Sequence, residues 1–287
     1  MIENFLIIPN ALKNKSVEFV SEIAKYLTDK GKKVYVPNKF SNIINCESDI
    51  TFVSSSEDLK FIDMAVILGG DGTVLRNISY IKHYEIPIFG VNFGNVGYLT
   101  QCEPESAMTF LDRVLNGDFE IEDRIMLRCT VDGEEKAYTG INEVVLHRQS
   151  FGRAMHLNVY INDNFIESFS ADGVLVSTPT GSTAYNMSAG GPVVIPCANN
   201  FVITPICAHA MAKSSIVTSG DDTVRIKASY SGDEEKEACL IVDSIDKCIV
   251  SDQDIKISKS KYKLKLVKFN DNSFYQTLKY KLSKEYQ

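Results

Sequence analysis

Val66-Ile67-Leu68-Gly69-Gly70-Asp71-Gly72-Thr73 is the stretch from which the fold can be read. Met64 to Leu68 is a short apolar run with β-branched residues, the pattern of a buried strand. Gly69 to Gly72 leave almost no side chain to block backbone approach, and hold one acid, Asp71. Thr73 then opens a segment, Val74 to Tyr84, that reads as helical. A strand, a Gly-rich turn and a helix N-terminus make an anion cradle. An acid inside such a cradle is electrostatically costly, so it points to holding a metal or accepting a proton during phosphoryl transfer. An ordinary strand-to-helix turn uses glycine for positive φ. Three glycines, an acid and a threonine exceed that need. No Gly-Lys-Ser/Thr follows and no G-x-G-x-x-G is present, so neither a Walker A loop nor a standard dinucleotide fingerprint is at work.

Working outward, Phe5–Ile8 and Lys33–Val36 read as strands, and Ser16–Lys30 as a helix stopped by Gly31. Phe40–Ser56 gives no clear pattern. Ile86–Val91 is a further strand, followed by a second Gly-rich turn at 94–97, and Pro104–Asn116 is a helix. Strands alternating with helices indicate a doubly wound parallel sheet, which binds ligands at the carboxyl ends of its strands. Both Gly-rich turns fall at such ends. Near Phe119 the texture changes to short strands and turns, among them Leu127–Val131, Tyr138–Leu146, His156–Ile161, Phe165–Ser170, Gly173–Ser177, Thr223–Tyr230, Ala238–Val242 and Asp254–Ser258. This predicts a β-sandwich-like fold. Tyr262, Leu264 and Leu266 alternate with Lys261, Lys263 and Lys265, a strand with a solvated lysine face suited to edge protection. Phe274–Glu285 reads as a helix able to return to the first domain. The expected domains are therefore 1–118 with 268–287, doubly wound α/β, and 119–267, β-rich.

The chain has 287 residues and a net charge of −7, which argues against nucleic acid as a partner. A polyanionic ligand then needs local help from a divalent cation, an Arg or backbone amides. No apolar run reaches the length of a membrane-spanning helix, and the N-terminus lacks a signal-peptide pattern, so no membrane partner and a cytoplasmic location are expected. The seven cysteines, Cys46, Cys102, Cys129, Cys197, Cys207, Cys239 and Cys248, form no C-x-x-C and read as buried reduced thiols. His83, His147, His156 and His209 lack metal-ligand spacing, and no G-x-S-x-G elbow exists.

Thr178-Pro179-Thr180-Gly181-Ser182-Thr183-Ala184-Tyr185-Asn186 follows an apolar strand and precedes Ser188-Ala189-Gly190-Gly191-Pro192. Its hydroxyls suit sugar and phosphate groups, or equally a Ser/Thr-rich turn that caps a helix at about 182–188. Asn142-Glu143 pairs an amide with a carboxylate, able to bind a ribose diol or simply to end a strand. Asp172 precedes Gly173 and reads alone as a turn residue.

With these motifs assembled, the chain resembles the bacterial NAD kinase family over nearly its whole length. The match runs through Gly69–Thr73, Asn142-Glu143, Thr178–Asn186 and Gly190-Gly191-Pro192, in that order. The first motif alone is shared with diacylglycerol kinases, sphingosine kinases and, more loosely, phosphofructokinases. The resemblance implies an N-terminal α/β domain, a C-terminal β-rich domain and a final segment returning to the first. It implies phosphorylation of the adenosine ribose 2′-hydroxyl of NAD, dependent on ATP and a divalent metal such as Mg²⁺. By motif match Asp71 is the acid–base residue. Gly72, Asn142, Glu143, Asp172, Thr183, Ala184, Tyr185, Asn186 and Ser188 contact the dinucleotide, and Arg153 joins them. A homo-oligomer, with a tetramer favoured, is also implied. Ser170, Ile195, Ala208 and Asp243-Ser244-Ile245 depart from the family pattern, which has a basic residue, His, Pro and Asp-Gly-Gln at those places.

A ribose hydroxyl needs its proton removed as the bond to phosphorus forms, and a positioned carboxylate can take it. Asp71 is expected to do so, with metal ligation as its other possible role. Gly69, Gly70 and Thr73 would hold the ATP phosphates with Mg²⁺. Arg76, one helical turn on, is either a helper cation or a solvated helix residue. Two rival functions are a lipid kinase of the diacylglycerol kinase type and a non-catalytic NAD(P)-binding regulator. The Thr178–Asn186 stretch opposes the first, and the acid among phosphates opposes the second.

Overall fold

The computed structural model describes residues 2–55, 57–149, 154–209, 214–229, 237–251, 253–270 and 273–284. The chain divides into two compact units, Met1–Asp123 with Leu264–Gln287, and Arg124–Lys263.

The first unit is α/β. Strands β1 (Asn4–Pro9), β2 (Lys33–Pro37), β3 (Ile50–Val53), β4 (Met64–Leu68) and β5 (Ile88–Val91) form a parallel sheet in the order β3-β2-β1-β4-β5. Helices α1 (Asn14–Asp29), α2 (Asp71–Ile81) and α3 (Ala107–Leu115) supply the connections. The order reverses between β1 and β4, and in parallel sheets such a switch point opens a crevice at the strands' carboxyl ends. Central β1 and β4 are buried almost throughout, which is why they read as continuous apolar runs rather than alternating ones. The sequence gives no signal for β3 because Ile50, Thr51 and Phe52 are not buried, so no apolar run marks the strand.

The second unit is antiparallel. Its strands are β6 (Glu120–Val131, entering from the first unit), β7 (Ala137–Gly140), β8 (Glu143–Arg148), β9 (Met155–Ile161), β10 (Asn164–Ala171) and β11 (Gly173–Ser177), then, after the short helix α4 (Tyr185–Ser188), β12 (Asn200–Ile206), β13 (Ile216–Ser219), β14 (Val224–Ser229), β15 (Glu237–Val242), β16 (Asp246–Ser251) and β17 (Asp254–Lys268). One sheet has the order β13-β12-β11-β8-β15-β16, while β10, β9, β14 and the start of β17 pair in another. Leu146, Val174, Val176, Phe201 and Leu240 from the first share one buried cluster with Leu157, Val159, Phe169, Ile226 and Ile257 from the second. That is a two-sheet sandwich core.

Three expectations are corrected. Tyr138–Leu146 is not one strand: the chain breaks at Ile141–Asn142, and β7 pairs with β6 whereas β8 joins the other sheet. β17 is no edge strand, because it pairs with β14 at Val224–Lys227 and with β5 at Ile88, so its lysines protect no edge. Cys197 and Cys207 are exposed, unlike the buried Cys102, Cys129 and Cys239.

After β17 the chain lies in the first unit and forms α5 (Phe274–Lys284). Phe274 packs on Tyr98 with ring centroids 5.7 Å apart, and the Lys281 Nζ sits 4.5 Å from the Tyr98 ring centroid. No helix among the described residues is long and apolar enough to cross a membrane.

Candidate functional site

In the first unit, α2 begins at Asp71 rather than after Thr73, with Gly70 as its N-terminal flank in extended geometry. The acid therefore sits in the first helical turn, where the helix dipole favours negative charge. Its two oxygens are already engaged: Oδ2 accepts the Tyr98 amide at 2.8 Å and Oδ1 the Leu99 amide at 3.0 Å. This explains Gly97, where a Cβ would stand 2.1 Å from Asp71 Oδ1. The second Gly-rich turn thus serves the first by giving its acid room and two donors.

Gly69, Gly70 and Gly72 do not have positive φ, so an ordinary tight turn is not what these glycines serve. At Gly69 the reason is close approach, since a Cβ would meet Thr73 Oγ1 at 2.2 Å. Thr73 Oγ1 and Asn92 Oδ1 are buried beside this turn and, among the described residues, have no hydrogen-bond partner. Arg76 folds back over the turn, with Nη1 3.5 Å from where a Gly72 Cβ would lie. Lys13, after β1 at the switch point, donates from Nζ to the Phe93 carbonyl at 2.7 Å. It carried no motif; only its place beyond the end of a parallel strand could have flagged it.

In the second unit the site grows out of the strand break. At 141–142 the chain leaves one sheet for the other, which frees three amides from the ladders. Asp243 accepts all of them, from Ile141 at 2.6 Å, Asn142 at 2.8 Å and Glu143 at 3.1 Å. Both Asp243 and Ser244 hold positive φ, at 51° and 59°. Such a conformation is uncommon outside glycine, but Asp tolerates it. Glu143 itself is only 4% exposed, and its Oε2 has no partner among the described residues. Burial, then the charge of Asp243, push its carboxyl up to about 8, partly offset by a hydrogen bond from the Tyr185 amide.

Register places the Thr178–Asn186 stretch next to these residues. β11 and β8 pair Ser177 with Glu143, so the loop after β11 starts beside Asn142-Glu143. The Asn142 carbonyl accepts the Thr178 amide at 2.8 Å. Gly181 lies against the same carbonyl, where a Cβ would be 2.2 Å away. The buried Arg124 donates to Thr180 Oγ1 at 3.2 Å and steadies the loop from below, a role no local pattern announced.

The individual candidates separate by exposure. Tyr185 and Ser188 are exposed, and Thr183 and Ala184 are half-buried. Asn186 is fully buried and spent on the protein: Nδ2 donates to the Ser182 and Pro192 carbonyls, and Oδ1 accepts from Thr204 Oγ1. Its amide has no donor left for a ligand, so its place is in building the loop. Asp172 sits at the far end of β11 from Thr178, roughly 20 Å along the strand. There Arg148 Nε pairs with its Oδ1 at 2.9 Å. The Tyr185 hydroxyl has its pKa raised, first by burial and then by nearby negative charge. Arg153 lies outside the described residues.

Among the described residues, no group of three or more His, Cys, Asp or Glu side chains could hold a metal. Mg²⁺ needs no such cage, because it binds through one or two carboxylates together with substrate phosphates. Asp71, the carboxylate of this turn, fits that manner of binding; the unpartnered oxygens of Thr73 and Asn92 lie against Gly69 and Gly70.

Comparison with known proteins agrees with this geometry. A family model for the ATP-NAD kinase N-terminal domain matches residues 5–119, and one for the ATP-NAD kinase C-terminal domain matches residues 141–269. The chain is 36% identical over 283 residues to an NAD kinase of Natranaerobius thermophilus, covering 96% of each. It is 35% identical over 288 residues to an NAD kinase of Lachnoclostridium phytofermentans, covering 98% of this chain and 99% of the relative. A solved NAD kinase from Archaeoglobus fulgidus, in complex with ATP, has a TM-score of 0.73 at 25% identity over 94% of both chains. Yeast NADH kinase complexed with NADH has a TM-score of 0.89 over 98% of this chain and 88% of that one, a likeness of fold at 22% identity.

Proposed function

The chain belongs to the NAD kinase family, and we propose that Asp71 is the base through which it carries out that family's reaction. The protein is an ATP-dependent NAD kinase, transferring the γ-phosphate of ATP to the 2′-hydroxyl of the adenosine ribose of NAD and giving NADP. Asp71 carries the residue-level reading. It is a carboxylate at a helix N-terminus, aimed by two backbone amides, on a turn stripped of side chains.

As the 2′-oxygen attacks the γ-phosphorus, its proton passes to Asp71, and ADP leaves with the bridging oxygen's electron pair. The Gly70 amide and the Thr73 hydroxyl hold phosphate oxygens in line, with Arg76 folded over them; the Gly69 and Thr73 amides are donated instead to the Val91 and Gly70 carbonyls, each at 2.8 Å. Mg²⁺, when bound, neutralises phosphate charge that a chain of net charge −7 cannot offset globally. Asn142, Glu143, Thr183, Ala184, Tyr185 and Ser188 supply the dinucleotide contacts, and Gly72 lies at the turn that both substrates share. Asn186 holds the loop. Asp172, oriented by Arg148, serves the far half of an extended dinucleotide. Arg153 keeps its proposed contact from the resemblance. We also propose a cytoplasmic homo-oligomer, a tetramer, which light scattering after size-exclusion chromatography tests.

The primary assay combines NAD, ATP and Mg²⁺ and looks for NADP; no product overturns the function. A pH–rate profile that moves when Mg²⁺ is replaced by Mn²⁺ would assign Asp71 to metal ligation instead of proton transfer.

A further inference from the structure

The loop that aims Asp71 has no ladder of its own. Among the described residues, no backbone-to-backbone hydrogen bond involves 93–99. Side chains set its shape instead. Asn92 Nδ2 donates to the Gly94 carbonyl at 3.1 Å and to the Asn95 carbonyl at 2.9 Å. Tyr98 and Leu99 give their amides to Asp71. From β1, across the switch point, comes Lys13, whose Nζ holds the Phe93 carbonyl at 2.7 Å. Gly94 is bare where that ammonium crosses, since a Cβ would stand 2.8 Å from Nζ.

Lys13 reaches out from a braced position. The Asn10 amide donates to the Leu68 carbonyl at 2.8 Å and to Ser16 Oγ at 2.9 Å, and the fully buried Ser16 donates to the same carbonyl at 2.6 Å. The Asn10 carbonyl then accepts the Lys13 amide at 3.0 Å. The lysine backbone is thereby tied to Leu68, the residue before the glycines, while its side chain grips the loop that orients their acid. Phe19, further along α1, makes a second tie, with its ring centroid 5.4 Å from that of Phe93. The choice of residue is itself informative. Lys13 is the N-cap of α1, and its side chain caps nothing. Ser, Thr, Asp or Asn would stabilise the helix there, so a lysine forgoes that gain. It is exposed, and among the described residues it forms no ion pair, yet it is ordered against a neutral carbonyl.

We propose that Lys13 is a positioning residue for the phosphoryl transfer: its ammonium fixes the Phe93 carbonyl and, through residues 93–99, the direction of the Asp71 carboxylate. This rests on the role of Asp71 as base and adds to it the residue that anchors the start of its loop.

The test uses the full chain with Lys13→Met, which keeps the apolar stem and loses the donor, and Lys13→Arg, which keeps charge and donors. In Lys13→Met, kcat should fall about tenfold, short of the ~100-fold that an ångström of misplacement can cost. KM for ATP and KM for NAD should stay as in wild type, the signature of lost alignment rather than lost binding. Tm should hardly move, because the lysine is exposed and caps nothing. Hydrogen exchange at the Tyr98 and Leu99 amides should accelerate, and Lys13→Arg should restore both exchange and kcat. Unchanged kcat or unchanged exchange in Lys13→Met would overturn the proposal. So would a KM for ATP that rises as kcat falls, which would make Lys13 a phosphate ligand. Exchange needs no turnover: if the wild-type protein makes no NADP, the function fails, and the Lys13→Met exchange rates still decide whether Lys13 holds the loop.

Discussion

Asp243 engages Glu143 in two ways at once: its Oδ1 accepts the Glu143 amide at 3.1 Å, and its charge helps hold the Glu143 carboxyl protonated, up to about 8. The unfolded chain releases that proton near 4.5, whereas the folded chain keeps it until about 8. Between those values the native state binds more protons than the unfolded one, so stability falls as pH rises. The steepest slope is about 1.4 kcal/mol per pH unit. Glu143→Gln should flatten that slope and be more stable than wild type at pH 8. Urea midpoints from pH 5 to 9 check this, and equal slopes in the two proteins would refute it.

Asp71→Asn keeps an acceptor oxygen for one of the two loop amides but cannot take a proton. Turnover should fall about 100- to 10,000-fold, the range for loss of a general base. NAD affinity, measured by calorimetry, should change little. Near-normal turnover would remove Asp71 from its role.

Gly181→Ala puts a methyl group into the Asn142 carbonyl, a backbone atom that cannot yield cheaply. Overpacking of this kind costs roughly 1–3 kcal/mol. The variant should show both a lower Tm and a raised KM for NAD, with KM for ATP unaffected. A lower Tm with an unchanged KM for NAD would show that the loop has no part in dinucleotide binding.

Phe274→Ala removes the ring that backs Tyr98, whose amide aims Asp71. Hydrogen exchange at the Tyr98 and Leu99 amides should accelerate. kcat should drop several-fold, short of the ~100-fold that an ångström of misplacement can cost. Unchanged exchange would uncouple the last helix from the site.

The parts of this molecule that sequence made legible are those whose chemistry is local. β4, the glycine turn and α2 are adjacent in the chain, and each constrains the next. Asp243 was invisible as an anchor because its partners lie about a hundred residues earlier, and only the break between β7 and β8 creates the amides it serves. Asn186 was implied as a ligand contact by motif match, yet its side-chain amide is consumed by two carbonyls and Thr204. β12 escaped notice since Pro205 interrupts its apolar run. The ladder tolerates that proline because β13 pairs only with Asn200–Ile203, leaving Pro205 at an open margin.

The first unit is written in two pieces, 1–123 and 264–287, with the whole second unit between them. Leu266 completes the pairing of β5, and Phe274 backs the loop that orients Asp71. A ribosome therefore delivers the second unit before the phosphate turn has its full support. The nascent chain is thus expected to hold the Asp71 carboxylate loosely until residues beyond 264 emerge, and to be silent during its own synthesis. Chains arrested at residue 263 should fold their second unit, resist proteolysis there and make no NADP.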